Sequence, residues 1–417
     1  MATAQSLSHV FPLGSRVNAR GRLEVGGCDT LELAREFGTP AYVVAEDDLR
    51  ARARAYVEAF VAAGAADFQV TFAAKAFPCT AVMAVFADEG LGCDVASPGE
   101  LHLALRAGFD PAKLVFHGNA RSDAELAAAV AARVGLVVID NFDDIDRLAR
   151  SGAPQRVLIR VTPGVAGETH AKISTGQADS KFGLGPADAR RAIDRLGGVP
   201  GLELAGLHMH IGSQLLDLAP LRAAMAVLGD LGSFGVYDLG GGLGVAYAPD
   251  QRPPSIEDYV AALVAAADEL FGPGRRLLVE PGRSLVANAG VTLYTVQSVK
   301  RNVSTWVGVD GGMSDNLRPM LYGSHYEAEI VDRLGGDTVC HVAGKHCESG
   351  DVIVRGARLD DPRPGDVLVT PATGAYGYAM ANNYNGVPRP PVVFCRDGVA
   401  RPVVRRETLE DLHARDL

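Results

Sequence analysis

A lysine stands at the end of an apolar run early in the chain. Lys75 follows the segment Thr71-Phe72-Ala73-Ala74, whose composition is typical of a buried strand. A lysine at a strand end commonly extends its charged group into water and has no chemical role. An amine that is partly removed from water instead becomes nucleophilic and can form a Schiff base with a carbonyl compound. Taken alone, Lys75 fits the first interpretation, so other residues must decide.

A glycine run follows another short apolar segment. Residues 240–244 read Gly-Gly-Gly-Leu-Gly, and Val236-Tyr237-Asp238-Leu239 precedes them. Glycines allow backbone N–H groups to approach an anion and point at it, and a tight turn alone needs fewer of them. No Lys-Ser/Thr pair follows, as it would in a Walker A loop, and the G-x-G-x-x-G spacing of dinucleotide folds is not met. Gly240, Gly241 and Gly242 therefore predict a phosphate site of another kind.

An acid, Glu280, follows a third apolar run and precedes Pro281-Gly282-Arg283. A carboxylate beside a pyridine nitrogen keeps that nitrogen protonated, because the negative charge stabilises the cation. A protonated pyridine ring is the electron sink that decarboxylation requires. The alternative for Glu280 is a surface ion pair with Arg283.

Eight short apolar runs, most of them separated by amphipathic segments, must position these residues. Strands that alternate with helices predict parallel βαβ units, and eight units in about 250 residues predict an α/β fold, a closed (β/α)8 TIM barrel. A doubly wound open sheet is the structural runner-up. The predicted strands are Phe68-Ala73, Leu91-Val95, Leu114-Phe116, Gly135-Ile139, Arg156-Val161, Leu204-His208, Gly235-Leu239 and Arg276-Val279.

The ends of these runs carry polar residues that packing alone does not require. Lys75, Asp94, His117, His210 and Glu280 lie at the ends of the first, second, third, sixth and eighth predicted strands. Barrel enzymes carry their chemistry at the carboxyl ends of the strands. Phosphate commonly binds after strands seven and eight, which is where the glycine run falls.

The predicted secondary structure changes after residue 290, where strand-like segments follow one another with few helix-like segments between them. They are Val291-Val299, Thr305-Val309, Asp337-Ala343, Asp351-Val354, Asp366-Thr370 and Pro391-Phe394. This pattern predicts a second, mainly β domain. We expect three regions: an N-terminal segment, residues 1–40, that joins the β domain, the barrel, residues 41–290, and the C-terminal β domain, residues 291–417.

Two histidines suggest an alternative from another class of enzyme. His208 and His210 alternate along the sixth predicted strand, and Asp94 and Glu280 are possible carboxylate partners for a metal ion. This set would suit a metal-dependent barrel hydrolase, but it leaves Lys75 and the glycine run without a role. His210 alone is compatible with a buried core histidine or with a ring stacked on a cofactor.

The composition excludes several classes of partner. The formal net charge is -10, so neither nucleic acid nor an anionic membrane surface is favoured. The six cysteines show no C-x-x-C spacing and are too sparse for a disulfide framework, which indicates free thiols in a reducing compartment. No secretory signal and no membrane-spanning stretch is visible, so we expect a cytoplasmic protein.

With these residues in place, the chain resembles the alanine-racemase-like, fold type III pyridoxal-phosphate decarboxylases, and most of all the diaminopimelate decarboxylases. The resemblance runs from about residue 25 to 415 and rests on many segments that occur in one order. These are Ala74-Lys75-Ala76, Cys93-Asp94-Val95-Ala96-Ser97-Pro98-Gly99-Glu100-Leu101, His117-Gly118-Asn119, Ser180-Lys181-Phe182-Gly183, His210-Ile211-Gly212-Ser213-Gln214, Asp238-Leu239-Gly240-Gly241-Gly242, Glu280-Pro281-Gly282-Arg283, Arg318-Pro319-Met320-Leu321-Tyr322, Cys347-Glu348-Ser349-Gly350-Asp351 and Gly374-Ala375-Tyr376-Gly377.

The resemblance implies the cofactor pyridoxal 5'-phosphate, no metal ion, and a role for each matching residue. Lys75 would carry the cofactor as a Schiff base, His210 would stack on its ring, and Glu280 would hold the pyridine nitrogen. Cys347 would be the general acid, which makes Lys75, His210 and Cys347 the catalytic set. The implied cofactor-binding residues are Lys75, Asp94, His210, Ser213, Gly240, Gly241, Gly242, Glu280, Gly282, Arg283 and Tyr376. The implied substrate-binding residues are Arg283, Arg318, Tyr322, Glu348 and Tyr376.

The resemblance also implies an amino-acid substrate, the formation of L-lysine and carbon dioxide from meso-2,6-diaminopimelate, and a homodimer with shared active sites. The guanidinium group of an arginine can form two hydrogen bonds to the distal carboxylate of diaminopimelate, and Glu348 could bind its distal ammonium group. Lysine or ornithine would leave the buried Arg318 facing an ammonium, so decarboxylases of lysine/ornithine, of carboxynorspermidine or of a secondary metabolite are runners-up. Alanine racemase is disfavoured because an arginine there takes the place of Glu280, and a lone pyridoxal-phosphate-binding barrel is disfavoured because it lacks the β domain that carries Cys347.

Overall fold

The chain folds into two compact units. The computed structural model describes residues 7–165 and 180–417. We call the first unit the β unit and the second the barrel unit. The β unit consists of Met1–Leu49, Val245–Arg252 and Leu285–Leu417, and the barrel unit of Arg50–Gly244 and Pro253–Ser284.

The chain begins with a small antiparallel sheet of three strands in the order β1-β2-β3. Helix α1 starts after it because the side chain of Asp29 accepts hydrogen bonds from the backbone N–H groups of Leu31 and Glu32. The elements of this part are β1 (Arg16–Val17), β2 (Leu23–Val25), β3 (Cys28–Asp29), α1 (Thr30–Phe37), β4 (Ala41–Ala45) and α2 (Glu46–Ala62).

Eight parallel strands close into a barrel in the order β10-β11-β12-β5-β6-β7-β8-β9. The barrel closes between β12 and β5, where Leu277 pairs with Phe68. The strands are β5 (Asp67–Ala73), β6 (Gly92–Val95), β7 (Leu114–Phe116), β8 (Leu136–Ile139), β9 (Gln155–Val161), β10 (Leu202–Met209), β11 (Val236–Asp238) and β12 (Arg276–Val279). The predicted TIM barrel is therefore confirmed, and the open sheet is excluded.

Helices follow the barrel strands, and polar caps fix where several of them begin. Ser97, Ser122, Asn141 and Ser255 each accept a hydrogen bond from a backbone N–H group in the first turn of the helix that follows. These helices are α3 (Thr80–Asp88), α4 (Pro98–Arg106), α5 (Asp123–Ala131), α6 (Phe142–Ser151), α7 (Pro186–Leu196), α8 (Ala219–Gly229), α9 (Ile256–Phe271) and α10 (Arg283–Val286).

The last part of the chain is mainly β, as expected. Its sheet follows the path β17-β16-β14-β13-β4-β19-β20, while β18 pairs with β13 and β15 pairs with β18. The strands are β13 (Gly290–Arg301), β14 (Thr305–Val309), β15 (Glu329–Ile330), β16 (Thr338–Ala343), β17 (Val352–Leu359), β18 (Val367–Thr370), β19 (Val392–Arg396) and β20 (Val399–Val404). The short helices are α11 (Arg318–Tyr322), α12 (Gly377–Met380) and α13 (Leu409–His413).

The division of the chain differs from the predicted boundaries at residues 40 and 290. Strand β4 was assigned to the barrel region, but it pairs with β13 and β19 in the sheet of the β unit. Its sequence, Ala41–Ala45, is buried at every position, which suits the middle of this sheet as well as it suits a barrel strand. Residues 245–252 also belong to the β unit, although they lie between two barrel strands in sequence.

Strand β20 was absent from the sequence prediction. Its residues, Val399–Val404, are exposed or half-buried and include Pro402, as is typical of an edge strand. Among the described helices, none combines the length and the apolar character needed to cross a membrane.

Candidate active site

The lysine singled out from the sequence lies beside a buried acid. Lys75 sits in a single 3-10 turn, Ala74–Ala76, immediately after β5. Its Nζ atom is 3.7 Å from Oδ2 of Asp94, which is buried and lies one residue before the end of the neighbouring strand β6. Burial raises the pKa of Asp94, although His117 and Lys75 oppose that shift. The strand pairing of β5 and β6 therefore delivers the amine and its counter-charge to the same end of the barrel.

Glu280 is the centre of a buried polar cluster. Its Oε1 atom is 2.6 Å from Nε2 of His117, and its Oε2 atom is 3.2 Å from Nε2 of His208. Ligand atoms of His117, His208, Asp238 and Glu280 all lie within 4.8 Å of one another. These four residues come from the ends of β7, β10, β11 and β12, so the closure of the barrel brings them together.

The charge states of this cluster follow from burial and from one another. Burial alone would raise the pKa of Glu280, but the facing His117 and His208 hold it well below its usual range. Burial lowers the pKa of His208 to about 4, so its imidazole is neutral. Burial and the neighbouring Glu280 raise the pKa of Asp238 well above its usual range. The two histidines therefore favour the ionised form of Glu280, while the environment of Asp238 favours its protonated form.

His210 is held by the backbone of the glycine run. Its Nδ1 atom accepts a hydrogen bond of 3.3 Å from the N–H group of Gly241. Burial and the nearby Lys75 amine lower the pKa of His210 well below its usual range, so the ring is neutral. A neutral aromatic ring with one nitrogen anchored can present its face to a flat ligand.

The backbone of the glycine run follows a path that larger residues could not adopt. Gly240 has a positive φ of 64°, and a Cβ there would overlap the carbonyl oxygen of Met209. A Cβ at Gly241 would overlap the carbonyl oxygen of Glu280. The backbone therefore passes so close to the ends of β10 and β12 that a side chain at either position would collide with them.

The segment after β12 lies against the lysine turn. A Cβ at Gly282 would lie 3.0 Å from the Cβ of Ala76, so a larger residue would crowd the lysine turn. Arg283 is buried and its Nη2 atom donates a 2.8 Å hydrogen bond to Oγ of Ser213. The barrel unit thus brings together the predicted residues Lys75, Asp94, His210, Ser213, Gly240, Gly241, Gly242, Glu280, Gly282 and Arg283 at the carboxyl ends of its strands.

In the β unit, Arg318 is a buried cation enclosed by tyrosines. Its Nη1 atom donates hydrogen bonds to the hydroxyl oxygens of Tyr247, at 3.0 Å, and of Tyr326. Its guanidinium carbon also lies 5.9 Å from the ring centroid of Tyr376. Burial acts against its charge, but the tyrosines outweigh this effect and raise the pKa of Arg318. Across residues 7–165 and 180–417, no carboxylate forms an ion pair with this guanidinium.

Tyr376 holds a strained backbone conformation. Its φ of 64° places a large side chain in the left-handed region, just before α12. Such strain persists where the surrounding structure imposes it, often at functional sites. Tyr322, the last residue of α11, is half-buried and lies one helical turn from Arg318.

Cys347 lies in a loop that is organised by a buried acid. The Asp351 carboxylate accepts hydrogen bonds from the N–H groups of Met313, at 2.7 Å, and His346, at 3.0 Å, and also contacts the His346 ring at 2.7 Å. The N–H group of Cys347 donates to Oδ1 of Asn385, at 3.0 Å. All six cysteines are free, and Cys347 is exposed while the other five are buried.

Helix α11 lies close to this loop. A Cβ at Gly350 would be 3.3 Å from the Cε atom of Met320, so the helix that carries Arg318 and Tyr322 packs against the loop that carries Cys347 and Glu348. Glu348 is half-buried, and one of its carboxylate oxygens accepts a 3.4 Å hydrogen bond from the N–H group of Gly350.

The structure changes the set of histidines that could bind a metal ion together with Glu280. The sequence paired His208 with His210, but the histidines that converge on Glu280 are His117 and His208. His210 instead bonds the glycine run. Strand β10 ends at Met209, so the alternation that would place His208 and His210 on one face does not extend to His210.

Several residues of the site had no role in the sequence analysis. Arg160 on β9 lies 3.9 Å from Asp140 and over the ring of Phe182, and burial lowers its pKa. An arginine within an apolar strand run is a signal that could have identified it. Tyr247 and Tyr326 gave no such signal, because only the fold brings them to Arg318.

Comparison with known families gives one family model that matches most of the chain. The model described as "Pyridoxal-dependent decarboxylase, pyridoxal binding domain" matches residues 46–287. This range contains every predicted site residue of the barrel unit.

Comparison with individual proteins gives matches over nearly the full length. The diaminopimelate decarboxylase of Actinosynnema pretiosum subsp. auranticum is 47% identical over 98% of this chain and 95% of its own. The diaminopimelate decarboxylase of Bacillus subtilis (strain 168) is 44% identical over 97% of both chains. The solved structure of diaminopimelate decarboxylase from M. jannaschii in complex with L-lysine has a TM-score of 0.91 at 33% identity, and the match covers 97% of each chain.

Proposed function

This chain belongs to the diaminopimelate decarboxylase family of pyridoxal-dependent decarboxylases, and we propose the residues with which it converts meso-2,6-diaminopimelate into L-lysine and carbon dioxide. The observation that carries the proposal is the convergence of Lys75, Glu280, His210 and the glycine run at one end of the barrel. The M. jannaschii relative was solved with L-lysine, which is the product expected here.

The residues of the barrel unit fit pyridoxal phosphate. Glycines let the backbone approach an anion closely, and the glycine run follows the seventh barrel strand, where barrels commonly bind phosphate. Glu280 is an ionised, buried acid that suits a pyridinium nitrogen, and the neutral ring of His210 suits an aromatic face. Pyridoxal phosphate, when bound, supplies the electron sink for the charge left by departing carbon dioxide.

We assign the following roles in the barrel unit. Lys75 holds the cofactor covalently through its amine and Asp94 balances the charge of that amine. Glu280 keeps the pyridine nitrogen protonated, and His210 supports the ring from one face. Ser213, Gly240, Gly241, Gly242, Gly282 and Arg283 hold or adjoin the phosphate, and Arg283 also borders the substrate.

In the β unit, Arg318 is the proposed partner of the distal carboxylate of the substrate. It is a buried cation whose described contacts are tyrosine hydroxyls and rings rather than carboxylates. A buried guanidinium of this kind has unused hydrogen-bonding capacity that a planar carboxylate matches in two places. Tyr322 and Tyr376 border the same substrate, and Glu348, which with Cys347 acts across the homodimer interface, takes its distal ammonium.

The test of substrate choice is carbon-dioxide release from diaminopimelate, lysine, ornithine and carboxynorspermidine. We expect turnover of diaminopimelate to exceed that of the other three.

In Arg318→Ala, kcat/KM for diaminopimelate should fall by roughly 100-fold or more, because a buried charge pair is lost. The affinity for pyridoxal phosphate should change little. Arg355→Ala, an exposed arginine of β17, serves as the control. An equal loss of cofactor affinity in Arg318→Ala would contradict its role in substrate binding.

Cys347 is the proposed general acid, and we propose that it acts across a homodimer. Its thiol is the one exposed cysteine of the chain, in a loop fixed by Asp351 and Asn385. The side chains of Met320, Leu321 and Tyr384 are 44%, 36% and 41% exposed in the same region, and a second copy of the chain would bury them. Free cysteines throughout support the expected cytoplasmic location.

Shared active sites predict complementation between inactive variants. Lys75→Ala and Cys347→Ala should each be inactive alone. After mixing and reassembly, half of the dimers are mixed and each mixed dimer has one intact site, so activity should return to about a quarter of wild type. The mixed variants are dissociated in mild denaturant and reassembled by dilution, and activity is then measured. If the mixture stays inactive while wild type recovers under the same treatment, the sites are not shared.

A further inference from the structure

His117 belongs to the buried cluster around Glu280 but has no role in the function proposed above. Its Nε2 atom is 2.6 Å from Oε1 of Glu280 and 3.6 Å from Oδ1 of Asp94. Asp94 in turn lies 3.7 Å from Nζ of Lys75. One imidazole nitrogen therefore stands between the acid assigned to the cofactor ring and the acid assigned to the lysine.

The two carboxylates would repel each other without this imidazole. Both are buried, and the charge of Glu280 raises the pKa of Asp94, after burial itself. A buried carboxylate that loses its hydrogen-bond donor either turns toward another partner or takes up a proton. Either change would remove an ionised, oriented acid from the cofactor ring.

His117 is itself rigidly held. Its backbone N–H group donates a 2.8 Å hydrogen bond to the carbonyl oxygen of Val95. Its ring meets the ring of His208 edge to face, with centroids 4.9 Å apart. His208 adds a second contact to Glu280, at 3.2 Å, which is longer than the contact of His117. The shorter contact and the fixed ring make His117 the main determinant of the direction of the Glu280 carboxylate.

We propose that His117 is a positioning residue that aims the Glu280 carboxylate at the pyridine nitrogen of the bound cofactor. This role rests on the proposed function, in which Glu280 contacts that nitrogen. It explains why a histidine follows the third barrel strand in His117-Gly118-Asn119, a segment that carries no other assigned role. His117 acts through Glu280 and does not itself touch the reacting atoms.

The test compares two ligands that differ at one atom. One is pyridoxal phosphate, and the other is its analogue in which a ring C–H replaces the pyridine nitrogen. Their dissociation constants are measured by equilibrium titration of the apoenzyme. The ratio of the two dissociation constants reports the contact between Glu280 and the nitrogen. A substitution that weakens the binding of both ligands equally leaves this ratio unchanged. The proteins are wild type, His117→Leu, His117→Gln, Glu280→Gln and the double variant His117→Leu/Glu280→Gln.

Wild type should prefer pyridoxal phosphate by roughly tenfold or more, as expected for a hydrogen bond between charged groups. His117→Leu should lose most of this preference and resemble Glu280→Gln, and the double variant should show no further loss. His117→Gln keeps an N–H donor near the position of Nε2 and should retain part of the preference. The control His102→Leu removes an exposed histidine of α4 and should match wild type.

The outcomes separate this inference from the proposed function. A wild-type preference that survives in both His117 variants overturns the positioning role. Equal weakening of both ligands in His117→Leu and His117→Gln also overturns it, because the residue would then only support the fold. A wild-type enzyme that binds pyridoxal phosphate without preference contradicts the role of Glu280, and one that binds neither ligand contradicts the proposed function itself.

Discussion

Replacement of Lys75 by alanine should abolish turnover and remove the visible absorption of the covalently held cofactor. The amine is the only group assigned to a covalent contact, and Lys75→Ala leaves Asp94 buried without the amine that lies 3.7 Å from it. We expect kcat to fall by roughly 1,000-fold or more, since both covalent attachment and positioning are lost. Absorption spectra of the purified protein, with pyridoxal phosphate added, provide the measurement together with carbon-dioxide release.

The cofactor should still bind to this variant, although more weakly. The glycine run, Glu280 and His210 do not depend on the amine, so a non-covalent complex remains possible. Lys113→Ala, an exposed lysine of the same unit, is the matched control and should keep the wild-type spectrum. A Lys75→Ala protein that retains both the band and its turnover would exclude the mechanism.

Replacement of Cys347 by alanine should have an effect of similar size for a different reason. A positioned general acid contributes about 100-fold to 10,000-fold to a rate, so turnover should fall within that range while cofactor absorption stays unchanged. Cys347→Ser should be nearly as poor, because a hydroxyl gives up its proton far less readily than a thiol does.

Alkylation gives an independent measurement of the same residue. Cys347 is the exposed cysteine of the single chain, and as the general acid of a shared site it must stay open to the substrate in the dimer, so iodoacetamide should modify about one thiol per chain. Loss of activity should follow that modification, and Cys347→Ala should show no rapid phase. Rapid modification at Cys347 with full retention of turnover would rule out the thiol as the acid.

The barrel could be predicted from the sequence because its strands are short, apolar and regularly separated by helices. Every predicted barrel strand overlaps an observed one, from Phe68-Ala73 to Arg276-Val279. The β unit was harder to delimit, because nothing in the sequence of β4 indicates which sheet it joins. Pairing partners of a strand are set by tertiary contacts that no local pattern contains.

The candidate site shows the same limit at the level of single residues. Lys75, Glu280 and the glycine run stand out because their types conflict with an apolar or regular context. The hydrogen bonds from His117 and His208 to Glu280 join three strands that are distant in sequence. Likewise, the tyrosines around Arg318 come from separate segments of the chain. Residues with chemistry can be recognised in a sequence, but the neighbours that tune them require the fold.

The place of β4 in its sheet has a consequence for how the chain is made. β4 lies between β13 and β19, so its two partners emerge from the ribosome after the barrel strands have been synthesised. The barrel unit, in contrast, has all of its strands available before β13 is translated. The nascent chain must therefore carry an apolar strand without its partners until β13 and β19 are made, so the sheet of the β unit can be completed only after the barrel strands have been synthesised.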